Sequence, residues 1–164
     1  MVKKFSDINT KEEVLSLAYE LWKLSADEYK SNFSHIDSIF RTLYNEGMKY
    51  RRIHCTIAGE IALKEYYNGN ISNTLDRDGK ILYFSTLVHD IKKFHKKHSR
   101  VGAKWINDNL KYFVIINDED LEQICCLIKY HKSNCNEYES NLLNILKYSD
   151  SESKRREKHL NVII

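Results

Sequence analysis

No proline occurs in the 164 residues and only five glycines do, so little in this chain can break a helix. Strand signals are scarce as well: alternating β-branched runs, and hairpin dipeptides flanked by them, are nearly absent. Apolar residues recur instead at helical spacing. The pattern predicts an all-α protein, one compact multi-helix bundle over residues 1–164. An apolar content of 42% with 30% charged residues is that of a soluble globular chain.

Thr10-Lys11-Glu12-Glu13 has the form of a capping box and predicts a helix from Lys11 to about Tyr29. Ser34 is expected to cap a second helix that stops near Gly47, with His35 structural or exposed. A third helix is expected from about Tyr50 to Tyr67, with Ile53, Ile57, Ala58, Ile61 and Ala62 as its buried stripe. The polar stretch Asn68–Lys80 reads as a connector or a lid. Ile81 to Val88 is an almost unbroken apolar run, expected as a buried helix. Further helices are expected from about His98, after an Asn117 cap, and through Leu142, Leu143, Ile145 and Leu146. Residues 151–164 read as a polar tail, into which the last helix can continue because nothing breaks it, with a frayed end.

The buried run drives straight into His89-Asp90. A buried carboxylate needs a cation or a metal beside it, so this pair is the centre of the chemistry. Other polar residues stand where core residues are due. His131 continues the stripe Ile124, Leu127, Ile128, and Asp150 continues the stripe Leu143, Leu146. His54 lies at the edge of the third helix's stripe; taken alone it would be an ordinary packed residue. Six basic residues crowd between Asp90 and Lys104, a solvated face or a rim that attracts phosphate.

Composition excludes several classes. A net charge of +3 permits a nucleic-acid partner without demanding one. The four cysteines form no C-x-x-C pair, which argues against a disulfide framework or a zinc finger. The sequence shows neither a signal-peptide apolar region nor a span long enough for a membrane, and a reducing, cytoplasmic setting with no membrane partner is expected.

His54, His89-Asp90 and Asp150, in that order on successive helices, resemble the H…HD…D signature of the HD-domain superfamily of metal-dependent phosphohydrolases. The local context agrees: Leu87-Val88-His89-Asp90-Ile91-Lys92-Lys93 is similar to the family's apolar-apolar-H-D-apolar-G-K, with Lys92 where glycine is usual and Lys93 at the family lysine. His98 followed by Val101-Gly102-Ala103, and the helix Ile124–His131, match further. The resemblance covers roughly Tyr50 to Asp150, with residues 1–49 as variable N-terminal helices.

The resemblance implies that His54, His89, Asp90 and Asp150 hold one divalent ion. As in two-metal members it also implies that His98 and His131 hold a second ion bridged by Asp90, with His95 an alternative to His98; the other reading is a single ion per chain, with His98 an exposed neighbour of a helix cap and His131 an imidazole at a helix end. Imidazole and carboxylate ligands suit manganese, iron, nickel, zinc or magnesium. Asp90 and Lys93 are the expected catalytic residues, and Lys93, Lys97 and Arg100 the expected substrate contacts, with Arg51 and Arg52 on the same rim.

Three functions are compatible with this. The first is a phosphohydrolase or phosphodiesterase that cleaves a nucleotide-type phosphoester by metal-activated water. The second is a nuclease acting on single-stranded nucleic acid, since the HD segment and basic tail also resemble the HD nuclease domains of CRISPR effector proteins. The third is a non-catalytic regulatory module whose first two helices, with Trp22 and Phe33 exposed, form an oligomer interface.

Overall fold

The computed structural model describes residues 2–32, 38–70, 72–133 and 138–159. Among these residues six helices carry the fold: α1 Lys11–Asn32, α2 Ser38–Tyr66, α3 Arg77–Val88, α4 His98–Asn109, α5 Asp118–Tyr130 and α6 Asn141–His159. The all-α expectation is met. The described residues add two short 3₁₀ turns and a two-residue parallel pair, β1 Lys3–Lys4 against β2 Val114–Ile115.

Helix α3 is the axis of the packing. Every residue from Gly79 to Val88 is buried, and α1, α2, α5 and α6 all lie against it. A helix apolar all round cannot sit at a surface, so the others gather around it. Its start is set by Asp76, whose carboxylate accepts from the Gly79 amide at 2.7 Å. Gly79 has no room for a side chain: a Cβ there would collide with the Tyr67 hydroxyl. The Thr10 capping box forms as expected, with Thr10 Oγ1 accepting from the Glu13 amide at 3.2 Å and the Thr10 amide donating to Glu13 Oε1 at 3.3 Å. Asn117 caps α5 through the Asp120 amide at 2.8 Å.

Five expectations need correction. The second and third helices are one, because α2 runs unbroken through Gly47. An isolated glycine costs a helix only about 1 kcal/mol, and Met48 beside it is buried. The expected Ser34 cap, His35 and Phe33 lie outside the described residues. The described buried apolar residues of α2 are Met48, Cys55, Ala58, Ile61, Ala62 and Leu63, while Ile53 is 39% exposed.

Helix α3 begins four residues earlier than the apolar run, so the preceding connection is short. It is tied to the N-terminal segment by Leu75 N to Asn9 O at 2.7 Å and Lys11 N to Asn73 O at 3.1 Å. It sits at the far end of α3 from His89, about 18 Å away for twelve residues of helix. It is a pinned connector and not a lid. Trp22 is buried, not exposed: its indole N–H donates to the Leu87 carbonyl at 2.8 Å, so α1 holds the end of α3 from which the site is built. Lastly, α6 continues nine residues beyond Asp150, and Ser153 and Glu157 in that stretch are buried.

Candidate metal centre

Helix α3 ends at Val88, His89 follows as its C-cap, and residues 89–97 descend through successive tight turns, with Ile91 N to Val88 O at 3.0 Å and Lys93 N to Asp90 O at 2.9 Å. This places His89 and Asp90 at the bottom of the core, both fully buried. Helix α2 brings His54 to the same point, α6 brings Asp150, the end of α5 brings His131, and the first residue of α4 is His98.

These six side chains form two groups that share Asp90. His54, His89, Asp90 and Asp150 are one set, and Asp90, His98 and His131 the other; within each set the ligand atoms lie within 4.8 Å of one another. The division falls between the two oxygens of Asp90. Its Oδ2 faces His89 Nε2 at 3.6 Å and His54 Nε2 at 3.8 Å, and its Oδ1 faces His98 Nε2 at 3.4 Å and His131 Nε2 at 3.6 Å. Asp150 Oδ1 closes the first set, 2.8 Å from His54 Nε2 and 3.3 Å from His89 Nε2.

The imidazoles are already oriented. His54 Nδ1 is 2.7 Å from Glu157 Oε1, His89 Nδ1 is 2.6 Å from the Thr86 carbonyl, and His131 Nδ1 is 2.6 Å from the Ile128 carbonyl. Each acceptor holds a proton on Nδ1, so each ring turns the lone pair of Nε2 into the cluster. This is the arrangement in which histidine ligates a metal. Glu157 is itself held by the Tyr50 hydroxyl at 2.8 Å and the Ser153 hydroxyl at 2.9 Å.

Both oxygens of Asp90, with His98 Nε2 and His131 Nε2, are buried and have no hydrogen-bond partner. A buried carboxylate with two unmatched oxygens is strongly destabilising, whereas facing imidazole lone pairs and carboxylate oxygens are what a cation requires. The donor set therefore fits divalent metal: nitrogen and oxygen ligands, no thiolate in either group, and second-sphere acceptors in place.

The electrostatics agree. Burial raises the pKa of Asp90, but His89, His131 and His98 hold it well below the ordinary carboxylate value. Burial likewise opposes ionisation of Asp150, and His54 and His89 override it. Burial works against a charged His89, yet Cys55, Asp90 and Asp150 raise its pKa well above that of free imidazole. A proton on His89 and an ion beside it answer the same excess of negative charge. His131 is pushed down, by burial first.

The basic residues divide. Arg51 Nη1 is 3.8 Å from Asp90 Oδ2, so it belongs to the site, while Arg52 lies over the Tyr19 ring, off it. Lys93 is half-buried; the pKa of Lys154 is lowered by burial first and by Lys132 next, with Lys93 a smaller cause. Lys97 is exposed with φ 57°, the residue immediately before α4. Arg100 lines a groove of about 640 Å³ between α4 and α5, beside Lys104 and Glu122. His95 is exposed, and His98 takes the place in the second group. Lys92, where the resembled motif has glycine, turns away: its Nζ lies 4.7 Å above the Trp105 ring and 3.9 Å from Glu28. The described non-glycine residues with positive φ are Asn68 and Lys97, so the backbone at Lys92 does not call for glycine.

Glu157, Ser153, Lys132 and Lys154 were not among the expected site residues. A signal for two of them was present: Asp150, Ser153 and Glu157 stand at i, i+3 and i+7, a polar stripe on the face that Leu143 and Leu146 bury. Compared with protein-family models, curated proteins and solved structures, the chain matches none of them.

Proposed function

We propose that the protein is a metal-dependent phosphohydrolase of the HD type, a phosphodiesterase that cleaves a nucleotide-type phosphoester with two divalent ions. The observation that carries this reading is the division of Asp90: one buried oxygen toward each group of imidazoles, and neither oxygen hydrogen-bonded. A carboxylate so placed is suited to bridging two cations.

Divalent ions held there supply a Lewis acid and a water acidic enough to attack phosphorus at neutral pH. The chain does the rest. Asp90 joins the two groups, and Asp150, His54 and His89 complete the first. Glu157 keeps the proton of His54 on Nδ1. Arg51 and Lys93 present positive charge to the phosphoryl oxygens. Among the described residues no cysteine is an activated nucleophile: desolvation pushes up the thiols of the fully buried Cys55 and of Cys126, and drives Cys125 up to about 12.

The test is metal stoichiometry after manganese loading, with hydrolysis of a panel of phosphodiesters and nucleoside monophosphates. Two ions per chain, one after His131→Ala, and diester hydrolysis lost in that variant are expected. A single ion indifferent to His131 replaces this reading by a one-metal monophosphatase. Two ions with no turnover on any member of the panel replace it by a regulatory module.

A further inference from the structure

Asp150 Oδ2, the oxygen not used by the first group, faces two ammonium groups: Lys132 Nζ at 3.2 Å and Lys154 Nζ at 3.5 Å. Lys132 follows directly on the ligand His131, and Lys154 stands one turn of α6 beyond Asp150. Their side chains are 36% and 38% exposed, against 5% for Asp150.

One carboxylate oxygen cannot balance this concentration of positive charge. Each ammonium carries three donors, and the two converge on one acceptor atom. If their purpose were only to neutralise Asp150, one lysine would suffice. Two like charges held together at the solvent edge of a buried site are instead stabilised by a multivalent anion arriving from outside. The phosphoryl group under attack belongs beside Asp90, between the two groups of imidazoles. The lysines lie past it, on the outer oxygen of Asp150, where a neighbouring phosphoryl group would come.

We infer that Lys132 and Lys154 form a subsite for a second, adjacent phosphoryl group. The substrate would then carry two linked phosphates, as a nucleoside diphosphate or another pyrophosphate-type anion does. This rests on the function proposed above, but its test does not depend on turnover.

Pyrophosphate and inorganic phosphate are titrated calorimetrically into the manganese-loaded full chain and into chelator-treated protein. The wild type is expected to bind pyrophosphate at least about tenfold more tightly than phosphate, the worth of one added charge-assisted contact. K132M/K154M should abolish the preference with manganese stoichiometry unchanged, and K132R/K154R should retain it. A wild type without the preference, or a K132M/K154M variant that keeps it, overturns the subsite. The two proposals fail separately. Pyrophosphate preference in the wild type without phosphoester hydrolysis leaves the subsite and removes the enzyme; phosphoester hydrolysis by a wild type that shows no such preference does the reverse.

Discussion

The two ion groups are built differently although they share Asp90. The first draws on α2, α3 and α6, long helices with extensive mutual packing, and its ligands His54, His89 and Asp150 are buried. Behind His54 stands a satisfied network of Glu157, Ser153 and Tyr50. The second group depends on the turn before α4 and the end of α5. His98 is 18% exposed and follows a residue in the left-handed region. Ligands held by packed helices keep their geometry without an ion; a ligand at the first residue of a helix, after a strained turn, has less to hold it. If the function proposed above holds, the first group would be the tighter seat for an ion and the second the weaker one.

That difference can be broken at the shared residue. Asp90→Asn is expected to lose both ions, read as manganese per chain. It should also erase the rise in Tm on manganese addition and lower the Tm of the metal-free protein, since Asp90 is one of the charges that favour a proton on the buried His89. Retention of either ion would mean that the groups are independent. Next in size is His98→Ala, which should empty the second group and leave one ion; loss of both would put His98 in the first.

Glu157→Gln sharpens the comparison from the other side. It weakens the acceptor behind His54 and should lower affinity for the first ion by roughly 10–100-fold, with the second changed little. A competitive chelator titration separates the two affinities, and an equal fall in both would show that α6 serves the whole centre. The smallest effect is expected from Lys97→Gly. Glycine adopts the φ 57° held by Lys97 without strain, so stability should rise by less than about 1 kcal/mol with metal content unchanged. A drop in Tm would assign the Lys97 side chain a contact that matters.

Much of the centre was legible beforehand because it violates the rule for core positions. His89, Asp90, His131 and Asp150 each stand where an apolar residue is due, and the structure brings all four together with His54 and His98. The supporting residues were harder to see. Glu157 and Ser153 lie in a stretch rich in charge, where a helix face looks solvated until a partner helix covers it; α2 does so here. Lys132 gives no signal at all, because a lysine after a helix is ordinary until Asp150 arrives from α6.

The sequence by itself determined the helical class, the caps at Thr10 and Asn117, the buried run of α3 and the unusual polar positions, since these depend on local propensity and on a period of 3.6 residues. The tertiary structure decided that α2 is continuous through Gly47, that Trp22 is bound to the Leu87 carbonyl, and that Asp90 turns one oxygen to each group of histidines. These depend on where helices distant in sequence meet, and a periodicity read along one helix carries no information about the partner that will face it.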